Sequence, residues 1–402
     1  MKNRILLSAS LFHALNDAAT VVVPMAFPLL YAEGRLITSY TQIGLLSNLG
    51  LLTTLLVQFL VVNVSFRFEY RSLLVVSFLG ICASLSLTPL ATSFPTLLLF
   101  FLMMRVFTSF YHPVVIAWVS RSQPAHRLDL AMGVQSGSGN IGVLLAFVSV
   151  GYLAQRWDWT LPLHTWAVFG LGLGFAGTAA LRGISSRVNV RPSLRVPSWI
   201  RILKGVRELV PGFIFGGTGW AVTIFYAPSL LNHEFSIPIG RTGLYLAMWV
   251  GLGTVSGYGF GFLSRRFGRR RVFLASLGVA AASLGVLGTA GSRTLAVAGL
   301  LAFGVSLLMT YPSLHTFVGS RVPHAEQTLA FSWVSNIQLT AGAAVGLLAG
   351  ILSDSFGIRA PFVLSFVLAA ACLVFYALPG RLAGGPERPV PPAPPLMHPD
   401  ST

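Results

Sequence analysis

The amino-acid sequence predicts an all-α polytopic membrane protein with twelve transmembrane helices in two six-helix bundles. Three observations carry this expectation. Charged residues make up 9% of the 402 and hydrophobic residues 54%, whereas a soluble domain carries about 25% charge. Apolar runs recur at a length that crosses a bilayer, because about 20 residues rising 1.5 Å each span the hydrocarbon. The second half of the chain also repeats the first at an offset of 199 residues.

The runs cover residues 5–31, 40–64, 72–91, 95–120, 128–153, 160–181, 209–231, 240–263, 272–291, 294–318, 326–352 and 359–380. Lys2 and Arg4 precede the first run as they would a signal peptide. That run is too long and contains polar groups, so it reads as an uncleaved helix. Gly and Pro inside several runs are tolerated where neighbouring helices re-satisfy the backbone. Residues 182–208 leave the apolar pattern with seven basic residues and two prolines. They read as a basic cytoplasmic linker between an N-terminal bundle (1–181) and a C-terminal bundle (209–380). Residues 381–402 include seven prolines and form a tail too polar to pack, expected to be disordered.

The net charge of +16 is unevenly placed: with a cytoplasmic N-terminus, 21 of the 27 Lys and Arg residues fall on the cytoplasmic side. Arg35, Arg156, Arg241, Arg293 and Arg359 lie opposite, and Arg105 lies within a helix. This is the positive-inside asymmetry, and it puts both termini in the cytoplasm of a cell whose inner membrane the chain spans. Basic loops against anionic lipid explain the charge without a nucleic-acid partner. Cys82 and Cys372 sit inside apolar runs as small hydrophobes, with no disulfide or metal spacing. No G-x-x-x-x-G-K-[ST] loop, H-E-x-x-H or soluble Ser-His-Asp arrangement occurs, so neither ATP drive nor an enzyme is expected and no cofactor is implied.

The repeat pairs Pro113 with Pro312, Pro124 with Pro323, Leu130 with Leu329, Ala131 with Ala330, Ser136 with Ser335, Gly151 with Gly350, Leu153 with Leu352 and Pro162 with Pro361. Two parallel six-helix repeats about an axis along the membrane normal resemble the major facilitator architecture, over about residues 5–380. The resemblance implies a substrate site near the midplane, between halves that rock around it. The loop Gly261-Phe-Leu-Ser-Arg265-Arg266-Phe-Gly268-Arg269-Arg-Arg271 is similar to the superfamily signature G-x-L-x-D-R-x-G-R-R. Arg265 replaces its Asp, and in the degraded first-half loop Glu69 is the acid available to a cytoplasmic gate.

His13, Asn16 and Asp17 interrupt the first run near its midpoint, on one helical face. An ionisable group at that depth costs roughly 2.5–3.5 kcal/mol on insertion scales and normally faces an interior or a cavity. Arg105 falls at the centre of the fourth run, and helix directions put it within about one turn of Asp17 in depth. The expected arrangement is an Asp17–Arg105 pair with His13 and His112 beside it, serving either proton coupling or a static link between helices. A histidine, with an unperturbed pKa of about 6.5, suits proton exchange as well as simple hydrogen bonding.

Phe12-His13-Ala-Leu-Asn16-Asp17, Tyr111-His112-Pro113 and Gln135-Ser-Gly137-Ser-Gly139-Asn140-Ile-Gly142 resemble the fosmidomycin-resistance branch of that superfamily. The branch carries H-x-x-N-D in helix one, F-H-P-E in helix four and a Q-x-G-G-N-x-G-like run in helix five. Val114 stands where the branch has glutamate. Gly133, Gly137, Gly139 and Gly142 make a small-residue seam, while Gln135 and Asn140 either line a cavity or bond between helices. In the second half Trp220, Tyr226, Tyr311, His315, Asn336 and Gln338 are polar or amphipathic at membrane depth. Tyr311 aligns with His112 and lies one turn from His315, so coupling chemistry is assigned to the first half and substrate affinity to the second.

The function expected is secondary active transport by alternating access, as a monomer driven by the proton gradient. A proton-coupled antiporter that exports small amphiphilic or anionic compounds, drugs included, leads. The alternatives are a proton symporter taking up a small organic anion, and a transporter of a metal or metal chelate held by His13, Asp17 and His112.

Overall fold

A chain that crosses hydrocarbon must satisfy every backbone N–H and C=O internally, so each apolar run folds as a helix. A computed structural model describes residues 2–184, 202–322 and 327–382. Its helices in the first half are α1 (Lys2–Glu33), α2 (Tyr40–Val64), α3 (Tyr70–Leu87), α4 (Phe94–Thr108), α5 (Tyr111–Ser122), α6 (Ala125–Arg156) and α7 (Thr160–Ala180). The second half contains α8 (Val210–Ser229), α9 (Ile239–Phe267), α10 (Arg269–Thr289), α11 (Arg293–Arg321), α12 (Gln327–Phe356) and α13 (Ala360–Ala377). Eleven spans among the described residues are long and apolar enough to cross a membrane. The twelfth segment, α7, is diluted by four glycines and His164, yet it runs for 21 residues and packs on α1 and α3. Residues 185–201 and 383–402, and with them most of the linker and tail expectations, lie outside the described residues.

One segment departs from its expected form. The fourth is broken at Ser109–Phe110 into α4 and α5. The Thr108 and Ser109 hydroxyls both bond the Arg105 carbonyl, at 3.1 and 2.5 Å, and so compete with the backbone ladder. Pro113 then lacks the N–H that would continue it.

In the first half α1 packs on α6 and α7, and α3 on α4 and α7. In the second half α8 packs on α12 and α13, and α11 on α9 and α10. The halves meet along α1–α8, α2–α12 and α6–α9. We call the side on which the chain begins the near face. The connections at 34–39, 157–159, 235–238 and 357–359 then lie on the far face.

At the far face the halves close through backbone-to-backbone contacts. A Cβ on Gly350 would stand 2.5 Å from the Tyr40 carbonyl, and one on Gly151 would stand 2.7 Å from the Ile239 carbonyl. These contacts are equivalent under the 199-residue offset. Toward the near face Tyr258 of α9 reaches α6, its hydroxyl donating to the Gly133 carbonyl at 3.4 Å.

Within the first half, α1 and α6 approach so closely that a Cβ at Gly142 would collide with the Ala14 carbonyl. Gly142→Ala is therefore expected to destabilise the protein by about 1–3 kcal/mol, read as a lowered thermal midpoint of the purified chain.

Candidate functional site

The α1 face predicted from sequence converges as a cluster, and its centre is Asp17. His13 Nε2 stands 3.0 Å from Asp17 Oδ2, and His112 Nε2, from the first turn of α5, stands 3.5 Å from Oδ1. Asn16 donates its amide to Oδ1 at 3.1 Å. The two imidazoles meet edge to face with centroids 5.3 Å apart. Asp17 and His112 are partly open to solvent, whereas the His13 side chain is 6% exposed.

The tautomer of His13 follows from its other nitrogen. Nδ1 lies 2.6 Å from the Gln135 backbone carbonyl, which can only accept, so Nδ1 carries a hydrogen. The Gln135 amide then donates to the Tyr111 hydroxyl at 2.9 Å, and that hydroxyl donates to the Ala9 carbonyl at 2.8 Å. Tyr111 also stacks on His13 with centroids 4.7 Å apart. The ring is thus locked with Nε2 toward the carboxylate. With Nδ1 donating to the Gln135 carbonyl, the 3.0 Å contact closes with a proton between Nε2 and Oδ2, carried by the imidazole or by the carboxyl, or with a cation in the gap.

Helix α6 forms the back wall. A Cβ on Gly139 would come 2.5 Å from Asp17 Oδ2 and 2.7 Å from His13 Nε2, so glycine there lets the wall touch both groups. The ligand atoms of His13, Asp17 and His112 lie within 4.8 Å of one another, a donor set that suits a borderline divalent ion. Asn140 is half-buried and its amide makes no hydrogen bond among the described residues. Val114, at the branch's glutamate position, is fully buried.

Arg105 corrects the sequence-based expectation. It is 6% exposed, as expected for a midplane residue, but no acid pairs with it among the described residues and its Nε has no partner. Its guanidinium lies 5.8 Å from the Phe101 ring centroid and beside Gly50 of α2. In an unbroken helix Arg105 and His112, seven residues apart, would share a face. The break at Ser109–Phe110 instead sends His112 to α1 and leaves Arg105 against α2.

The second-half residues divide. Tyr311 donates to the Gly216 carbonyl at 2.9 Å, and Gln338 lies against the same glycine with its Nε2 buried and unpartnered. Tyr226 donates to the Gly346 carbonyl at 2.6 Å. Trp220 packs on Trp249, with centroids 5.4 Å apart. His315 is held among Phe213 and Phe331, so it and Tyr311 have separate partners. Asn336 lines a mostly apolar cavity of about 290 Å³ with Ile214, Trp333 and Ile337. At the near face Glu69, Arg265, Arg266 and Arg269 are exposed and form no ion pair among the described residues. Gly268 supplies the turn at φ +85°. Arg270, not assigned a role from sequence, donates to the last carbonyls of α13.

Residues 8–258 and 209–398 match the family model described as Major Facilitator Superfamily. The fold is similar to a bacterial homolog of the human lysosomal transporter Spinster in an inward-facing, unoccupied conformation, with TM-score 0.78, 16% identity, and 93% and 96% of the two chains covered. It is also similar to a D-xylose-proton symporter, with TM-score 0.75, 14% identity, and 93% and 96% covered. The nucleoside transporter NupG gives 0.72 and 14%, over 93% and 97%.

A buried, unpaired guanidinium costs stability, and replacing buried charge with apolar volume often gains about 1–4 kcal/mol. Arg105→Met is therefore expected to raise the thermal midpoint of the purified protein. A lowered midpoint would mean that the guanidinium has a stabilising partner.

Proposed function

This chain belongs to the Major Facilitator Superfamily, and we propose that within it the protein is a proton-coupled antiporter of the fosmidomycin-resistance-like branch. It exports small amphiphilic or anionic compounds across the inner membrane, as a monomer with both termini in the cytoplasm. The observation that carries the proposal is the Asp17 carboxylate held between a buried and an exposed imidazole, at 3.0 and 3.5 Å. His112 can take a proton from the open side, Asp17 can pass it, and His13 is oriented to hold it. The mostly apolar cavity lined by Ile214, Trp333, Asn336 and Ile337 in the second half supports a substrate with apolar surface.

A second reading, a divalent metal ion or its chelate as cargo, draws on the ligand atoms within 4.8 Å. Calorimetry of the purified protein with Zn²⁺ separates it. Heat of binding that disappears in His112→Ala supports metal cargo, and its absence in the unaltered protein removes it.

The test of the leading reading uses proteoliposomes with an imposed pH gradient and fosmidomycin as probe. Asp17→Asn is expected to lose gradient-driven movement while keeping the probe-induced thermal shift of the unaltered protein. Reversing the gradient distinguishes exchange from uptake with the proton. Undiminished driven transport in Asp17→Asn would remove the carboxylate from coupling.

A further inference from the structure

The closed far face contains polar contacts that the coupling cluster does not use. Asp354, in the last turn of α12, reaches the first turn of α2. Its Oδ1 accepts from the Tyr40 N–H at 2.7 Å, and its Oδ2 accepts from the Thr41 N–H at 2.8 Å and the Thr41 hydroxyl at 2.5 Å. On the other seam Gln155, in the last turn of α6, accepts from the Gly240 N–H at the start of α9, at 2.8 Å. These are one contact built twice. The offset of 199 takes Gln155 to Asp354, Tyr40 to Ile239 and Thr41 to Gly240. The surrounding glycines obey the same operation. Gly44 sits against Gly350, and Gly243 against Gly151.

The first N–H groups of a helix have no acceptor inside it and carry partial positive charge. Each cap therefore ties the start of a helix in one half to the end of a helix in the other, and it exists only while the far face is closed. The two arms differ in chemistry. The carboxylate gives charge and three hydrogen bonds, and the amide gives one neutral bond. His233 supports the charged arm, lying 3.1 Å from the Tyr40 hydroxyl and 3.0 Å from the Pro28 carbonyl. Arg359 is engaged with Glu234 at 3.0 Å, within the second half.

We infer that Asp354 and Gln155 are the two arms of a pseudo-symmetric far-face latch, and that Asp354 sets how much of the population is closed there. The inference rests on the reading that the two halves rock, and it names the residues that hold one end of that motion.

Ser47 is fully buried on the α2–α12 seam beside Gly346, and the native Cys82 and Cys372 are buried elsewhere. A Ser47→Cys reporter in the full chain, reconstituted in nanodiscs, reacts with a water-soluble maleimide only when the seam opens. Added to it, Asp354→Ala is expected to raise the labelling rate about tenfold, the scale of losing charge-assisted bonds to a helix end. Asp354→Asn, which copies the neutral arm, falls between, and Asp354→Glu restores slow labelling. Gln155→Ala accelerates less than Asp354→Ala, and Gln155→Glu slows labelling. Should Asp354→Ala not fold, Asp354→Asn against Asp354→Glu carries the test. Unchanged labelling in the Asp354 variants, or Gln155→Ala as fast as Asp354→Ala, overturns the latch. Labelling needs neither substrate nor gradient. Lost driven transport in Asp17→Asn together with unchanged labelling in the Asp354 variants removes the latch and leaves the coupling reading intact, whereas undiminished transport in Asp17→Asn with faster labelling in Asp354→Ala keeps the latch and removes the coupling reading.

Discussion

A carboxylate at membrane depth needs positive charge beside it and water kept to one side, and much of the first half is arranged around that requirement. Asp17 meets it with two imidazoles, one from its own helix and one from α5. Holding the buried imidazole in place takes a carbonyl and an amide from Gln135 and a ring from Tyr111. Those residues reach it only because α6 lies against α1, which the missing side chains at Gly139 and Gly142 permit. The break in segment four belongs to the same requirement, since it turns His112 onto α1. A packing seam and a polar site are here one construction, because the same glycines that let the helices touch bring the wall against the charge.

The second half shows what this construction becomes without the charge. Under the repeat Asp17 corresponds to Gly216, Gly139 to Gln338 and His112 to Tyr311. The acid in one half and the glutamine in the other fill the same space from opposite helices, and the histidine–carboxylate contact becomes a phenol bonded to the Gly216 carbonyl. The other buried cation is exchanged in the same way. Arg105 against Gly50 corresponds to Gly304 against Trp249, again large on one helix and small on its neighbour. Core volume is conserved across the repeat while charge is not, as close packing demands. The first half keeps the carboxylate, its imidazoles and the guanidinium, and the second keeps aromatic and amide surface with a lone histidine, His315, among phenylalanines.

Most of the fold was legible because bilayer thickness and backbone satisfaction leave a helix as the one solution for each apolar run. The break at Ser109–Phe110 was signalled by Pro113 and its Ser/Thr neighbours, yet periodicity alone reads through it. The His13–Asp17 contact followed from i, i+4 spacing, and the approach of His112 followed from depth. The Asp17–Arg105 pair did not form because depth fixes a level in the membrane and says nothing of the direction in which a side chain leaves its helix. That direction was reset by the break. Gln155 and Asp354 were readable as equivalents from the 199-residue offset. They lie at the ends of apolar runs, where a polar residue looks like ordinary loop chemistry, and only the packed halves reveal that each caps a helix across the seam.

The two acids, Asp17 and Asp354, act on one hairpin. Asp17 is part of α1, and Asp354 holds the start of α2, with only Gly34–Ser39 between those helices. In the proposed coupling role, a shift of α1 with the charge on Asp17 would run past Pro24 toward the Glu33 end of the helix, where the Pro28 carbonyl is bonded to His233 and through it to Tyr40. Asp17 and the far-face closure are therefore joined by covalent chain, through α1, Gly34–Ser39 and the first turn of α2, and by a hydrogen-bonded bridge. The loop at Gly34–Ser39 and the prolines Pro24 and Pro28 leave the chain itself compliant, so the hydrogen-bonded bridge from Pro28 through His233 to Tyr40 is the stiffer of the two links between the midplane charge and the rim cap.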